Sequence, residues 1–229
     1  MKDIRTLAAA LLLAATSTGV LAANSTATID DVQVVVANLD PGNTSTPGYG
    51  VEVIFSDASA EVDGIFVQFS DEQFGFMTPV SQTSLPLEPD ASSSASIAGS
   101  TLTADAFATG TGSAIGAAGT GGGGSFILDA RTSLTLSATL SLSSSGGGAS
   151  AVETVCLVTC TNYAVGAGET HTYTFEGTVS NTTNDFESFF VSVDAEADVV
   201  PVPEVSPLFQ MLAGLAAVGL ARRPRRNQP

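Results

Sequence analysis

The chain has no tryptophan, one histidine and two cysteines in 229 residues, and its middle almost lacks positive charge. Between Asn24 and Val200, Arg131 is the single basic residue against 21 acidic ones, which puts this stretch near −20. The formal −16 of the whole chain understates that charge, because Lys2, Arg5, Arg222, Arg223, Arg225 and Arg226 all lie outside it. Such a surface repels nucleic acid and anionic lipid, whose phosphates are held by Lys and Arg. The lone histidine, His171, leaves one candidate for Ser-His-Asp chemistry, and no G-x-S-x-G elbow accompanies it. Its parity with Tyr173 and Phe175 reads instead as a residue at the end of a strand. The acid pairs Asp30-Asp31 and Asp71-Glu72 are sequence neighbours, and neighbours on a strand point to opposite faces, so adjacency does not make a glycosidase dyad. No catalytic residue is assigned and no enzymatic activity is expected.

No segment of residues 24–200 carries helical periodicity of useful length; what is present is alternation. Residues 131–143 are the clearest case, with Leu134, Leu136, Ala138, Leu140 and Leu142 on one face and Thr135, Ser137, Thr139 and Ser141 on the other. Residues 171–179 alternate in the same way. In residues 189–199, Phe189, Val191, Val193, Ala195 and Ala197 turn inward, and Asp194, Glu196 and Asp198 turn outward, where the acids would guard a strand edge. Shorter strands are read at 27–39, with Val32, Val34 and Val36 on one face, at 51–55, at 64–70, over 96–108 and at 152–158. Loops are read at 44–50, 79–94, 110–124 and 143–150 from their Gly, Ser and Pro content. Gly119, Gly121 and Gly124 satisfy GxGxxG formally, but without a flanking strand, helix or lysine the segment reads as a loop. The expected fold is all-β: an antiparallel β-sandwich, Ig-like or jelly-roll-like, over residues 24–200.

Cys156 and Cys160 would lie roughly 13 Å apart on one extended strand, beyond the ~7 Å that a disulfide bridges. A bond therefore requires Leu157-Val158-Thr159 to turn tightly. Free thiols and a metal site are the alternatives, the second lacking further soft ligands. No cofactor is expected. Calcium is the ion that the oxygen-rich loop residues Asp40, Asn43, Asp57, Glu61 and Asp63 would suit, although no EF-hand spacing is present.

Lys2 and Arg5 precede the apolar run Leu7–Ala15, and Val20-Leu21-Ala22-Ala23 supplies small residues for cleavage. Residues 1–23 read as a secretory signal peptide, cut after Ala22 or Ala23, which implies export by the Sec translocon. At the other end, Val205–Ala221 is uncharged for 17 residues. As a helix it would measure roughly 25 Å, slightly short of the ~30 Å hydrocarbon core, and would span with local thinning. Arg222, Arg223, Arg225 and Arg226 would hold the cytoplasmic side. Pro201, Pro203 and Pro207 keep the preceding segment extended, leaving Val202-Pro203-Glu204 open to a membrane protease. A plain single-span anchor is one reading of this tail.

The ordered triple over residues 201–226 of Val202-Pro203-Glu204, a short apolar span and an arginine cluster resembles the PEP-CTERM sorting signal, recognised by exosortase in Gram-negative bacteria. Val205 stands where that family usually has a second proline. The resemblance implies an exosortase partner, transient membrane anchoring through a short C-terminal helix, and processing followed by release or attachment at the cell surface. It also implies a link to exopolysaccharide and to biofilm or floc matrix. A carbohydrate-binding or adhesive surface module is the alternative role, one that would need an aromatic platform from Tyr49, Tyr163, Tyr173 or the phenylalanines.

Overall fold

The computed structural model describes residues 22–43, 46–51, 54–73, 79–83, 91–109, 112–120 and 125–200, and the regular elements among them are all β-strands. In chain order they are β1 (Ala22–Asn38), β2 (Tyr49–Val51), β3 (Ile54–Val62), β4 (Ile65–Gln73), β5 (Val80–Thr83), β6 (Ala91–Ala98) and β7 (Thr101–Thr109). Then follow β8 (Ala114–Gly119), β9 (Ser125–Leu128), β10 (Thr132–Ser145), β11 (Ala149–Leu157), β12 (Thr159–Val165), β13 (Thr170–Asn181) and β14 (Glu187–Val199). They form two antiparallel sheets. The first has the order β13-β10-β1-β7-β6-β5; the second has β12-β11-β14-β8-β3-β4, with β9 paired to β14 and β2 to β9. The sheets face each other across one hydrophobic core, and the described residues belong to one unit, Leu21–Val202.

The alternation read in the sequence is what builds this core. Leu134, Leu136, Ala138, Leu140 and Leu142 of β10 are all buried, and β10 pairs with β13 in unbroken register from Thr132↔Asn181 to Ser143↔Thr170. On the outer face the hydroxyls pair across strands, with Thr135 and Thr178 oxygens 2.8 Å apart and Ser143 and Thr170 oxygens 3.2 Å apart. β1 changes parity midway. Ala23, Ser25, Ala27 and Ile29 point inward, then Val32, and the switch from odd to even falls at a bulge between Asp30 and Gln33, where Asp31 takes φ 53. One extra residue thus keeps apolar side chains inside along the whole strand.

The sandwich is lined unequally. Around β10, β11 and β9 the inward residues are large: Leu134, Leu136, Leu140, Val155, Phe126 and Leu128. Where β6 and β7 face β3 and β8, they are mostly Ala, Ser and Gly: Ala95, Ala104, Ala106, Ala58, Ala60 and Ala118, with Gly116. Backbones approach closely there. A Cβ on Gly116 of β8 would stand 2.5 Å from the carbonyl oxygen of Ser94 and 2.6 Å from that of Asp105, both on the opposite sheet. Inward serines use the short span to hydrogen-bond the facing backbone. Ser93 Oγ donates to the carbonyl of Glu61 at 3.0 Å, and Ser25 Oγ donates to that of Ser150.

Several boundaries differ from the sequence reading. The Gly-rich segment contains β8, a strand in the interior of the second sheet, because Ala and Gly are the residues that a narrow gap admits. The region 96–108 is part of a hairpin, β6 and β7, turning at Gly99 with φ 63. The stretch 79–94 holds β5 and the start of β6, and β2 takes in the last two residues of the expected 44–50 loop with Val51, the first of the expected strand 51–55. β10 and β11 extend into the expected 143–150 loop, leaving the turn at Gly146–Gly148. β14 is flanked by β11 and β8, so Asp194, Glu196 and Asp198 guard no edge. Among the described residues no helix is long and apolar enough to cross a membrane; the expected span Val205–Ala221 lies outside them.

Gly116→Ala is expected to lower stability by about 1–3 kcal/mol, the usual cost of overpacking a tight core. A urea midpoint that does not move would show that the sheets separate there freely.

Candidate functional site

Three loops meet at the end of the sandwich where β1 finishes. Asn181, fully buried at the end of β13, fixes two of them. Its Nδ2 lies 3.1 Å from Leu128 O, 3.0 Å from Asp129 O and 2.7 Å from Asp185 O. Its Oδ1 accepts from Thr183 N at 2.9 Å and from Thr183 Oγ1 at 2.7 Å. Thr132 Oγ1 closes the 129–132 turn on Asp129 O at 2.7 Å, and Arg131 donates to Thr182 O at 2.9 Å. Arg131 O accepts from Leu39 N at 2.8 Å, which joins the third loop. That loop is shaped by Asp40, whose Oδ1 accepts from Gly42 N at 2.9 Å.

The three loops enclose a cleft of about 260 Å³ lined by Asn38, Asn43, Thr46, Pro47, Asp129, Ala130, Thr132 and Phe186. Phe186 is 74% exposed, an unusual position for a phenyl ring. The Asp129 side chain lies against Gly48, where a Cβ would fall 2.2 Å from its Oδ2, so the carboxylate reaches its place because residue 48 has no side chain. The cleft lining therefore combines an apolar ring, two amides, two hydroxyls and a carboxylate.

A second polar feature is the outer face of the β3-β8-β14 sheet. Asp57 and Asp194 both pair with Gly119 in register, and Glu61 and Asp198 both pair with Ile115. The Asp194 carboxylate covers Gly119 and accepts from Ser192 Oγ at 3.1 Å. Burial, with Asp57 adding to it, raises its pKa from 3.8 to about 6. Asp198 is also raised, by burial first and by Glu61 second.

The third is inside the core. Glu153 sits on the inward face of β11, fully buried, and neither carboxylate oxygen has a geometrically defined hydrogen-bond partner. It faces the paired residues Thr28 and Ser141 of the other sheet. Burial, with Asp30 adding to it, pushes its pKa from 4.5 to about 8, against weaker opposing contributions from the Thr28 and Ser141 backbone. At neutral pH it is a buried carboxylic acid.

Cys156 and Cys160 form a disulfide between registered partners of the β11–β12 hairpin, with Cα atoms 3.9 Å apart. Val158 alone makes the tip, at φ 67, and its N–H donates to Phe190 O at 3.0 Å. The tight turn that the spacing demanded is present. His171 is exposed on β13, its ring 5.8 Å from that of Tyr173, which lies 4.9 Å from Tyr163. Asp30 and Asp31 flank the β1 bulge, and Asp71 and Glu72 are successive on β4. The calcium candidates are dispersed. Asp40 and Asn43 lie on the loop after β1 and Asp57 and Glu61 on β3, while Asp63 Oδ1 accepts from Ser113 N at 2.8 Å. Among the described residues no three His, Cys, Asp or Glu side chains gather as metal ligands. Val202, Pro203, Glu204, Arg222, Arg223, Arg225 and Arg226 lie outside the described residues. The sequence reading missed the cleft and Glu153; a phenylalanine ending the polar run 181–186, and an acid at an inward parity in 149–157, were the signals available.

No protein-family model, curated protein or solved structure matches the chain.

Two outcomes are expected. Glu153 is ionised in the unfolded chain above its ordinary 4.5 and neutral in the folded chain up to about 8. The folded state then binds the extra proton, so stability falls as pH rises through that window, by on the order of 5 kcal/mol in all. Asp194 adds the same sign only up to about 6. Urea unfolding of Glu153→Gln should therefore lose most of the slope above pH 6, and a slope equal to wild type would remove Glu153 as its source. The double substitution Cys156→Ser with Cys160→Ser should cost about 2 kcal/mol, the loop-closure value for so short a ring; a thermal melt without a shift would contradict it.

Proposed function

We propose that the protein is an exported, exosortase-processed component of the cell surface or extracellular matrix, without enzymatic activity, associated with exopolysaccharide in a biofilm or floc. The observation that carries this reading is the tail: Val202-Pro203-Glu204, the uncharged span Val205–Ala221 and the four arginines, in that order. The signal peptide at 1–23 would route the chain through the Sec translocon, and a short transmembrane helix would hold it until cleavage. The sandwich, Ig-like or jelly-roll-like, suits this role physically. One sheet presents cross-strand hydroxyl pairs and the other rows of carboxylates, both hydrated surfaces compatible with a polysaccharide gel. Its single disulfide fits an oxidising compartment. Nucleic acid is not a partner of so acidic a body.

A carbohydrate-binding or adhesive module is the second reading. It is favoured by aromatic side chains left exposed, Phe186 above all.

In a host encoding an exosortase, mass spectrometry of the mature protein should find no peptide beyond the Pro203-Glu204 region. Replacing Pro203 and Glu204 by alanine should leave the chain in the membrane fraction. An intact tail in the mature wild-type product would overturn the processing scheme.

A further inference from the structure

We propose that the cleft between the loops after β1, β9 and β13 binds one neutral pyranose unit of a polysaccharide. The inference rests on the second reading above and gives it a place.

The chemistry of the lining selects the ligand. A pyranose has an apolar C–H face and a rim of vicinal hydroxyls, each donor and acceptor. Phe186 offers a ring face with little protein contact of its own, and sugar C–H groups stack on such a face. Asp129 brings a carboxylate to the lining beside Gly48, a group that accepts hydrogen bonds from sugar hydroxyls. Thr46 adds an exposed hydroxyl, while Asn38 Nδ2 donates to Asn43 O at 3.1 Å and so shapes the wall beside it. The lining has no cation and one anion, in a body near −20, so an acidic sugar is repelled and a neutral one is not.

Size and placement agree. At about 260 Å³ the cleft is below the roughly 300–1,000 Å³ of pockets for drug-sized ligands, which suits one ring and leaves the rest of a polymer in solvent. The frame is preorganised, because Asn181 fixes the 128–129 and 183–185 backbones before any ligand arrives. The cleft is also at the end of the sandwich opposite both chain exits. β1 enters beside Gly146, β14 leaves at Val199 with Val200 N bonded to Gly148 O, and the cleft residues Asn38 and Thr132 pair at the far end of β1.

The test uses the full purified chain and isothermal titration with neutral tetrasaccharides of glucose, galactose, mannose and N-acetylglucosamine, with a galacturonate tetrasaccharide for comparison. At least one neutral probe should bind, and galacturonate should bind more weakly. Phe186→Ala and the near-isosteric Asp129→Asn should each weaken the neutral probe about tenfold, while Phe66→Ala, which removes an exposed ring from β4, should leave it unchanged. Binding that ignores Phe186→Ala and Asp129→Asn would overturn the cleft but keep the carbohydrate-binding reading. Tighter galacturonate binding would overturn the choice of a neutral sugar. No binding by any neutral probe would overturn both the cleft and the reading beneath it.

Discussion

The closeness of the two sheets around Gly116 sets the terms for the rest of the structure. Side chains normally hold facing sheets about 10 Å apart. Here, over β3, β6, β7 and β8, the space is filled by methyl groups, hydroxyls and hydrogen atoms, and the backbones come together until a single added carbon at Gly116 would strike two carbonyls. Alanine methyls bury little apolar area each, so this half gains little per residue from the hydrophobic effect. It compensates with polar contacts that a wider gap forbids. Ser93 of β6 reaches across to the Glu61 carbonyl of β3, and Ser25 makes the like contact from β1 to the Ser150 carbonyl of β11. The leucine-rich half, built on β10, supplies the larger apolar burial. The protein is therefore wedge-like in its lining, and one half depends on size exclusion as much as on hydrophobicity.

That division explains what the sequence disclosed. β10, β13 and β14 were legible because large apolar residues alternate with Ser, Thr or acids, a strong contrast at period two. β8 was illegible because Ala114-Ile115-Gly116-Ala117-Ala118-Gly119 has almost no contrast; its inward residues are defined by what they lack. The β6 strand was blurred for the same reason, with Ala and Ser on both faces. In β1 the alternation was visible from Val32 onward, and the Asp31 bulge hid the fact that Ala23 to Ile29 belong to the same face. The cleft had no local signature at all. Its residues come from positions near 40, 130 and 186, and the register that joins them, Asn38↔Thr132↔Asn181, is a property of the sheet.

The acidic body poses an electrostatic problem, and the fold answers it in part by withholding ionisation. With Arg131 as the only basic side chain in the stretch, ion pairing cannot relieve 21 carboxyls. Among the described residues three instead have raised pKa values, and in each the first cause is burial. Glu153 is the extreme case, kept neutral inside the core. Asp194, on the opposite face of its sheet, owes its burial to the absence of a side chain at Gly119. The same economy of side chains that narrows the core thus also creates room above the second sheet. A body that loses charge as it folds is less self-repelling than its sequence suggests, and it holds more of its stability on the acidic side of neutrality.

Arg131 shows how local and global demands meet. It takes φ 59, an uncommon conformation for a residue with a side chain, at the head of β10. Its N–H and its guanidinium both bond the 182–183 backbone while its carbonyl binds Leu39, so one residue ties together the three loops around the cleft. The only cation of the body is spent on architecture, pointing to backbone oxygens and not into the cleft. The consequence is chemical: the concave end of the molecule is shaped by an arginine yet lined without one. Its lining presents a hydroxyl, a carboxylate and a phenyl ring to whatever enters. A positively shaped anion site would have required the opposite choice, and the loops that would have carried it contain no second basic residue.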